Sequence, residues 1–147
     1  VRSVESSAHA LEIARESEGL NPDIAGRLEW VKADVFSFLD HTETYDLIVA
    51  DPPPFARRRA ELEGAIKGYL SLVQRSFALL APGGLAFFFS CSGAVDRETF
   101  RHIVAEGALR SGRSVRLVRE LHADCDHPVA AAHPEGEYLK GLLLQRI

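Results

Sequence analysis

The chain has 147 residues, 46% hydrophobic and 26% charged, which is enough for one compact core and too few for two comfortable domains. Its net charge of −4 argues against gripping RNA by bulk electrostatics, because phosphate contacts come mainly from Lys and Arg, so any RNA contact must be local or supplied from outside this stretch. No run approaches the roughly 18 apolar residues of a membrane helix, so no membrane partner is expected.

Two cysteines, Cys91 and Cys125, are too few for a disulfide framework, and no signal peptide precedes them. Together these point to a reducing, cytoplasmic setting. The chain starts at Val1 and contains no methionine, so it reads as part of a longer protein.

Val1 to Glu5 forms a short β-type run ending in an acid, and Ser6 or Ser7 is placed to cap a helix through Ala8, Leu11, Ile13 and Ala14. Gly19 and Asn21-Pro22 close that helix. Leu28 to Ala33 predicts a second strand, ending at Asp34 before a short helical segment, Val35 to Leu39. Tyr45 to Ala50 is nearly all apolar, as in a strand buried on both faces of a parallel sheet, and runs into Asp51-Pro52-Pro53-Pro54-Phe55.

From Leu62 to Ala81 the residues Leu62, Ile66, Tyr69, Leu70, Val73, Phe77 and Leu80 recur at helical spacing. Pro82-Gly83-Gly84 is expected to end that helix. Leu85 to Phe89 predicts another buried strand, leading into Ser90-Cys91-Ser92-Gly93. Asp96 caps a helix carrying Phe100, Ile103, Val104 and Leu109, which Gly112 terminates. Ser114 to Leu121 is a strand, a loop rich in His, Asp and Pro follows, and Tyr138 to Gln145 is the last strand, with Gly141 suited to a close backbone approach.

This alternation predicts an α/β, Rossmann-like doubly wound sheet with an antiparallel last strand. Ligands in such sheets sit at the carboxyl ends of strands. That rule singles out Glu5, Asp34, Asp51 and Cys91.

A carboxylate in the place of Glu5 can accept from both ribose hydroxyls of a nucleoside, or can simply sit before a helix N-terminus where negative charge is favoured. Asp34 can accept from an adenine amine while Val35 packs on the ring, or it can be a cap. Asp51 empties from a buried strand into a proline-stiffened turn, which makes a rigid platform. Its carboxylate and the adjacent carbonyls can accept from the amino group of a flipped base against Phe55. Arg57-Arg58-Arg59 could meet RNA phosphates, although in isolation a solvated charge run is the favoured reading. Cys91 is either a buried inert thiol or, if its field favours the thiolate, a nucleophile.

In this order these features resemble the class I S-adenosylmethionine-dependent methyltransferases, and more closely the PUA-domain-containing family that methylates C5 of cytosine in large-subunit ribosomal RNA. The residues that carry the resemblance are Ser3-Val4-Glu5-Ser6-Ser7-Ala8, Ala33-Asp34-Val35-Phe36, Asp51-Pro52-Pro53-Pro54-Phe55-Ala56 and Lys67-Gly68-Tyr69, followed by Pro82-Gly83-Gly84, Ser90-Cys91-Ser92, Asp126-His127-Pro128 and Glu135 to Gly141.

The resemblance implies that residues 1–147 form the C-terminal part of one catalytic domain, without its PUA domain, first strand and glycine loop. It implies methyl-donor binding by Glu5, Ser6, Asp34, Val35 and Asp51. It also implies that Cys91 attacks C6 of a cytosine held by Asp51, with Pro52, Pro53, Phe55 and His127 lining the substrate pocket.

Two departures stand out. Pro54 occupies the position where other RNA cytosine-C5 methyltransferases carry a second cysteine, so the base that removes the C5 proton is unassigned. The glycine-rich turn is missing, so the chain alone is expected to bind donor weakly and to be inactive, with two open strand edges inviting a homodimer or aggregation.

An amino-group methyltransferase is the alternative enzyme reading, since an acid-proline-proline-aromatic run also holds amines. A non-catalytic RNA-binding or assembly module is the alternative outside enzymes. His122, Cys125, His127 and His133 match no common zinc spacing.

Overall fold

A computed structural model of the chain describes residues 1–56, 58–133 and 136–147. Arg57 of the basic run and Glu135 of the Glu135 to Gly141 run lie outside the described residues. The chain divides into two compact units, Val1–His41 and Thr42–Ile147.

In the first unit, β1 (Arg2–Glu5) pairs in parallel with β2 (Glu29–Lys32), Glu5 opposite Lys32. The crossover between them is α1 (Ala8–Gly19), whose N-cap is Ser7, its hydroxyl accepting from the Ala10 amide at 3.2 Å. Leu11 is buried on the inner face of α1. The helix is tied down at its far end by Glu18, which accepts from the Trp30 indole at 2.6 Å and from the Gly26 amide at 3.0 Å. α2 (Val35–Phe38) follows β2, with Asp34 as its cap.

The second unit holds a four-stranded sheet in the order β3-β4-β6-β5. β3 (Tyr45–Ala50) and β4 (Leu80–Ser90) are parallel, joined by α3 (Leu62–Leu79). α4 (Arg97–Ser111) leads to β5 (Val115–Leu121), and the last strand, β6 (Lys140–Arg146), inserts antiparallel between β4 and β5. The expected α/β architecture with an antiparallel final strand is therefore observed. The core lies between this sheet and the two helices, formed by Tyr69, Val73, Phe77, Phe88, Phe100 and Leu142. α3 and α4 approach closely because Gly107 has no side chain, a β-carbon there lying 2.5 Å from Val73 Cγ1.

Two expectations need correction. Pro82-Gly83-Gly84 does not end the helix, which stops at Leu79. β4 begins at Leu80 and runs through the triplet, Gly83 taking a φ of 78°. Gly84 permits this because it lies against β3, where a β-carbon would be 3.0 Å from the Asp46 carbonyl oxygen. Nor is β3 buried on both faces. Ile48 and Ala50 pack on the core, but Leu47 and Val49 are 55% and 62% exposed, since the helices of this unit cover the other face. Among the described residues β1 pairs only with β2, and β3 only with β4.

Candidate functional site

The second unit brings the proline-stiffened turn and the cysteine run to one end of its sheet. Parallel register sets Ala50 opposite Phe88, so Asp51 and Ser90-Cys91-Ser92 leave neighbouring strands together. The Cys91 thiol, half-buried, points to the Pro52 carbonyl at 4.0 Å. Asp51, Pro53 and Pro54 are exposed, whereas Pro52 and Phe55 are half-buried and Ala56 is buried.

The flanking serines hold this arrangement. The Ser92 hydroxyl donates to the Ala56 carbonyl, tying the cysteine run to the far end of the proline turn. The Ser90 hydroxyl donates to Tyr69 Oη at 3.0 Å and accepts from the Ser92 amide at 3.3 Å. Both serines are fully buried, so these bonds satisfy groups that would otherwise be costly to desolvate.

Tyr69 is thus a strut beneath the site. Burial raises its phenol above the ordinary range; the Ser90 and Phe55 hydrogen bonds act against this, and the charges of Cys91 and Asp51 add to it. Phe55 packs on its ring with centroids 4.5 Å apart. Gly68 makes room for Phe55, since a β-carbon there would be 3.0 Å from Phe55 Cδ2.

From the last strand, Lys140 stands in register with Ser90, and its ammonium donates to the Ser92 carbonyl at 2.7 Å. It is buried, at 4% exposure. Burial lowers its pKa, opposed by the charge of Cys91 and, more weakly, by Asp96, while Arg97 lowers it further. Lys140 lines a cavity of about 390 Å³ with Gly93, Asp96, Arg97, Glu137 and Tyr138.

The remaining candidates lie in the first unit or on the His-rich loop. Glu5 ends β1, and its Oε1 accepts from the Ser7 amide at 2.7 Å and from the Ser6 hydroxyl at 3.4 Å. Asp34 caps α2, Oδ1 accepting from the Phe36 and Ser37 amides at 3.0 and 3.1 Å. The cap reading of Asp34 therefore holds, and one oxygen does that work. Val35 is half-buried as the first residue of α2. His127 is exposed and pairs with Asp126 at 3.1 Å. Among the described residues, no group of three or more His, Cys, Asp or Glu is arranged to hold a metal.

Reading the sequence assigned no role to Tyr69, Ser90, Ser92 or Lys140. Ser92 and Ser90 carry no local sign of their bonding partners, which lie 36 and 21 residues away. Lys140 did carry one, as a cation opening an otherwise apolar run, Gly141 to Leu144.

No family model matches the chain. A protein named ribosomal RNA large subunit methyltransferase I from Cronobacter sakazakii is 41% identical over 145 residues, covering 96% of this chain and 37% of that protein. The chain thus spans well under half the length of such relatives. Among solved structures, one described as a SAM-dependent methyltransferase from Streptococcus mutans covers 98% of this chain and 38% of its own, with a TM-score of 0.82 at 19% identity. A methyltransferase crystallised with SAH matches over the same shares at 20% identity, again with a TM-score of 0.82.

Proposed function

We propose, from the premise that this chain is a relative of the ribosomal RNA large subunit methyltransferase I proteins with a class I methyltransferase fold, that it belongs to an S-adenosylmethionine-dependent RNA methyltransferase acting on C5 of a cytosine. The observation that carries this reading is the clamping of the Cys91 run against the Asp51 to Ala56 turn by Ser92. A thiol beside a rigid acid-proline platform suits covalent attack on a base presented edge-on.

Glu5 and Asp34 fit a nucleoside donor. Glu5 ends β1 and Asp34 lies just past the adjacent parallel β2, at the same end of their sheet, and the bonds of each run through one carboxylate oxygen, Oε1 of Glu5 and Oδ1 of Asp34. Glu5, with Ser6 beside it, would hold the ribose hydroxyls. Asp34 would accept from the adenine amine, with Val35 against the ring. The donor supplies an electrophilic methyl group.

Cytosine C5 is too electron-poor to take that methyl group unaided. Addition of the Cys91 thiolate to C6 moves electron density onto C5 and makes it a nucleophile. After C5 has been methylated, loss of its proton and departure of the thiolate restore the aromatic base and the free cysteine. Asp51 would accept from the amino edge of the cytosine, with Pro52, Pro53 and Phe55 shaping the pocket and His127 contacting the substrate. The partner is ribosomal RNA and the setting cytoplasmic. Residues 1–147 would form part of one catalytic domain, and the chain alone, which contains no glycine-rich donor turn, would be inactive.

RNA carrying 5-fluorocytosine tests the reading, using a chain extended ahead of Val1 to the length of the relatives. Fluorine cannot leave C5 as a proton does, so Cys91 should remain covalently bound to the RNA, and Cys91→Ala should abolish both the adduct and turnover. A methylated amino group and undiminished turnover in Cys91→Ala would favour the amino-group methyltransferase instead. Donor binding by neither the extended nor the short chain would favour a non-catalytic RNA-binding or assembly module.

A further inference from the structure

We propose that the cavity beside the cysteine run is a subsite for a second base of the RNA, a guanine near the target cytosine, stacked on Tyr138 and read by Arg97, Glu137 and Lys140. The inference rests on the reading of the chain as part of an RNA methyltransferase and deepens it by naming what is read besides the cytosine.

The cavity, of about 390 Å³, falls in the size range of small-ligand sites. Gly93, directly after the cysteine run, lines it together with Lys140, which donates to the Ser92 carbonyl. Neither Cys91 nor any residue of the Asp51 to Phe55 turn is on its wall, so it lies next to the place where a target base would meet the thiol and is separate from it.

Charge decides the class of ligand. Two cations, Arg97 and Lys140, and two carboxylates, Asp96 and Glu137, line the cavity. A phosphate would meet as much repulsion as attraction there, whereas a neutral heterocycle with both donors and acceptors suits such a wall.

The wall also has hydrogen-bonding capacity to spare. Lys140 is 4% exposed, yet its ammonium makes a single bond, to Ser92, and so uses one of three donors. Buried donors without partners are costly, which favours an acceptor delivered from outside. Arg97 reaches His122 Nδ1 at 3.0 Å and Glu137 Oε1 at 3.4 Å through Nη2, and the Leu121 carbonyl at 3.5 Å through Nη1, leaving Nε. Glu137 keeps Oε2, since Arg97 and His122 both approach Oε1. Asp96 is already engaged by the Thr99 amide.

Guanine matches these groups. Its O6 and N7 are side-by-side acceptors for a guanidinium or an ammonium, and its N1–H and N2 amine are neighbouring donors for one carboxylate. Adenine has no second donor beside its amine, and the pyrimidines have no N7. Tyr138 lines the same cavity and is 44% exposed, offering a ring face on which an unstacked base can lie.

Ligand-observed NMR on the chain, with GMP, IMP, AMP and CMP as probes, tests the subsite without donor or turnover. IMP lacks only the N2 amine of GMP, so GMP should bind about tenfold more tightly than IMP and more tightly than AMP or CMP. Tyr138→Ala should weaken GMP binding about tenfold, and Glu137→Ala should bring GMP down to the level of IMP. Both side chains are exposed enough to be replaced without loss of the core, and Cys91→Ala should leave GMP binding as it is. No GMP binding, equal affinities for the four nucleotides, or GMP binding indifferent to both Tyr138→Ala and Glu137→Ala would overturn the proposal. In the chain extended ahead of Val1, the same two variants should raise KM for RNA about tenfold with little change in kcat, the 5-fluorocytosine adduct still forming at saturating RNA. A missing adduct with GMP selectivity intact would count against the cytosine chemistry and leave the subsite standing. A normal adduct with KM unchanged in both variants would remove the subsite alone.

Discussion

Gly141 on β6 faces Phe89 on β4 so closely that a β-carbon at position 141 would lie 2.7 Å from Phe89 Cε1 and 2.9 Å from Leu121 Cβ. The glycine is what allows the last strand to slide between its neighbours at the end that delivers Lys140. Gly141→Ala should therefore destabilise the chain by about 1–3 kcal/mol through overpacking. Denaturant unfolding would report this as a lower midpoint, and an unmoved midpoint would mean that Phe89 turns aside freely.

Ser92→Ala removes the hydroxyl that ties the cysteine run to the Ala56 carbonyl. Both groups are buried, so the loss should cost about 1–3 kcal/mol. It should also loosen the proline turn, so that trypsin cuts faster after Arg58 and Arg59. A cleavage rate equal to that of the parent chain would show that Pro52 to Pro54 hold the turn without the serine.

The α4 cap gives a pH prediction. Hydrogen bonds from Thr99 hold Asp96 below the ordinary aspartate range. Its folded-state pKa is depressed, so its contribution is complete above the unfolded value and disappears as pH falls through the folded one. Asp96→Asn should retain the cap and lose this acid-dependent part. Asp96→Ala should lose about 1 kcal/mol at neutral pH as well. Stability measured from pH 7 downward separates the two, and parallel curves for parent and Asn would contradict the assignment.

The single tryptophan gives the first unit its own reporter. Hydrogen bonds from the Trp30 indole and the Gly26 amide lower the pKa of Glu18. Protonating Glu18 should weaken the indole bond, so Trp30 fluorescence should change with acid at a pH below the ordinary glutamate range. Glu18→Gln should abolish that step. A step retained in the variant would assign it to another group.

Much of the frame was legible in local chemistry. Ser7, Asp34 and Asp96 act as caps, and Gly112 closes α4 in the left-handed conformation. Capping is decided within four residues of chain, so reading along the sequence suffices. The same holds for Asp51 and Cys91, whose place at strand ends follows from the β-α-β alternation and the parallel register it imposes.

Failures of sequence reading fall where partners are distant in the chain. Apolarity in Tyr45 to Ala50 could not say which face the helices cover, because coverage depends on how α3 and α4 pack. Pro82-Gly83-Gly84 looked like a stop, yet it lies inside β4 as an irregular stretch between Leu80 and Leu85, which pair with Tyr45 and Leu47 of β3.

By itself, then, the sequence determined the elements, their caps and the residues presented at the strand ends, since these follow from short-range backbone and periodicity constraints. Only the tertiary structure decided that β6 inserts between β4 and β5, that Ser92 reaches Ala56, and that Lys140 is buried against the Ser92 carbonyl. Those are contacts between segments far apart in the chain, and packing the whole core selects them where no local preference can.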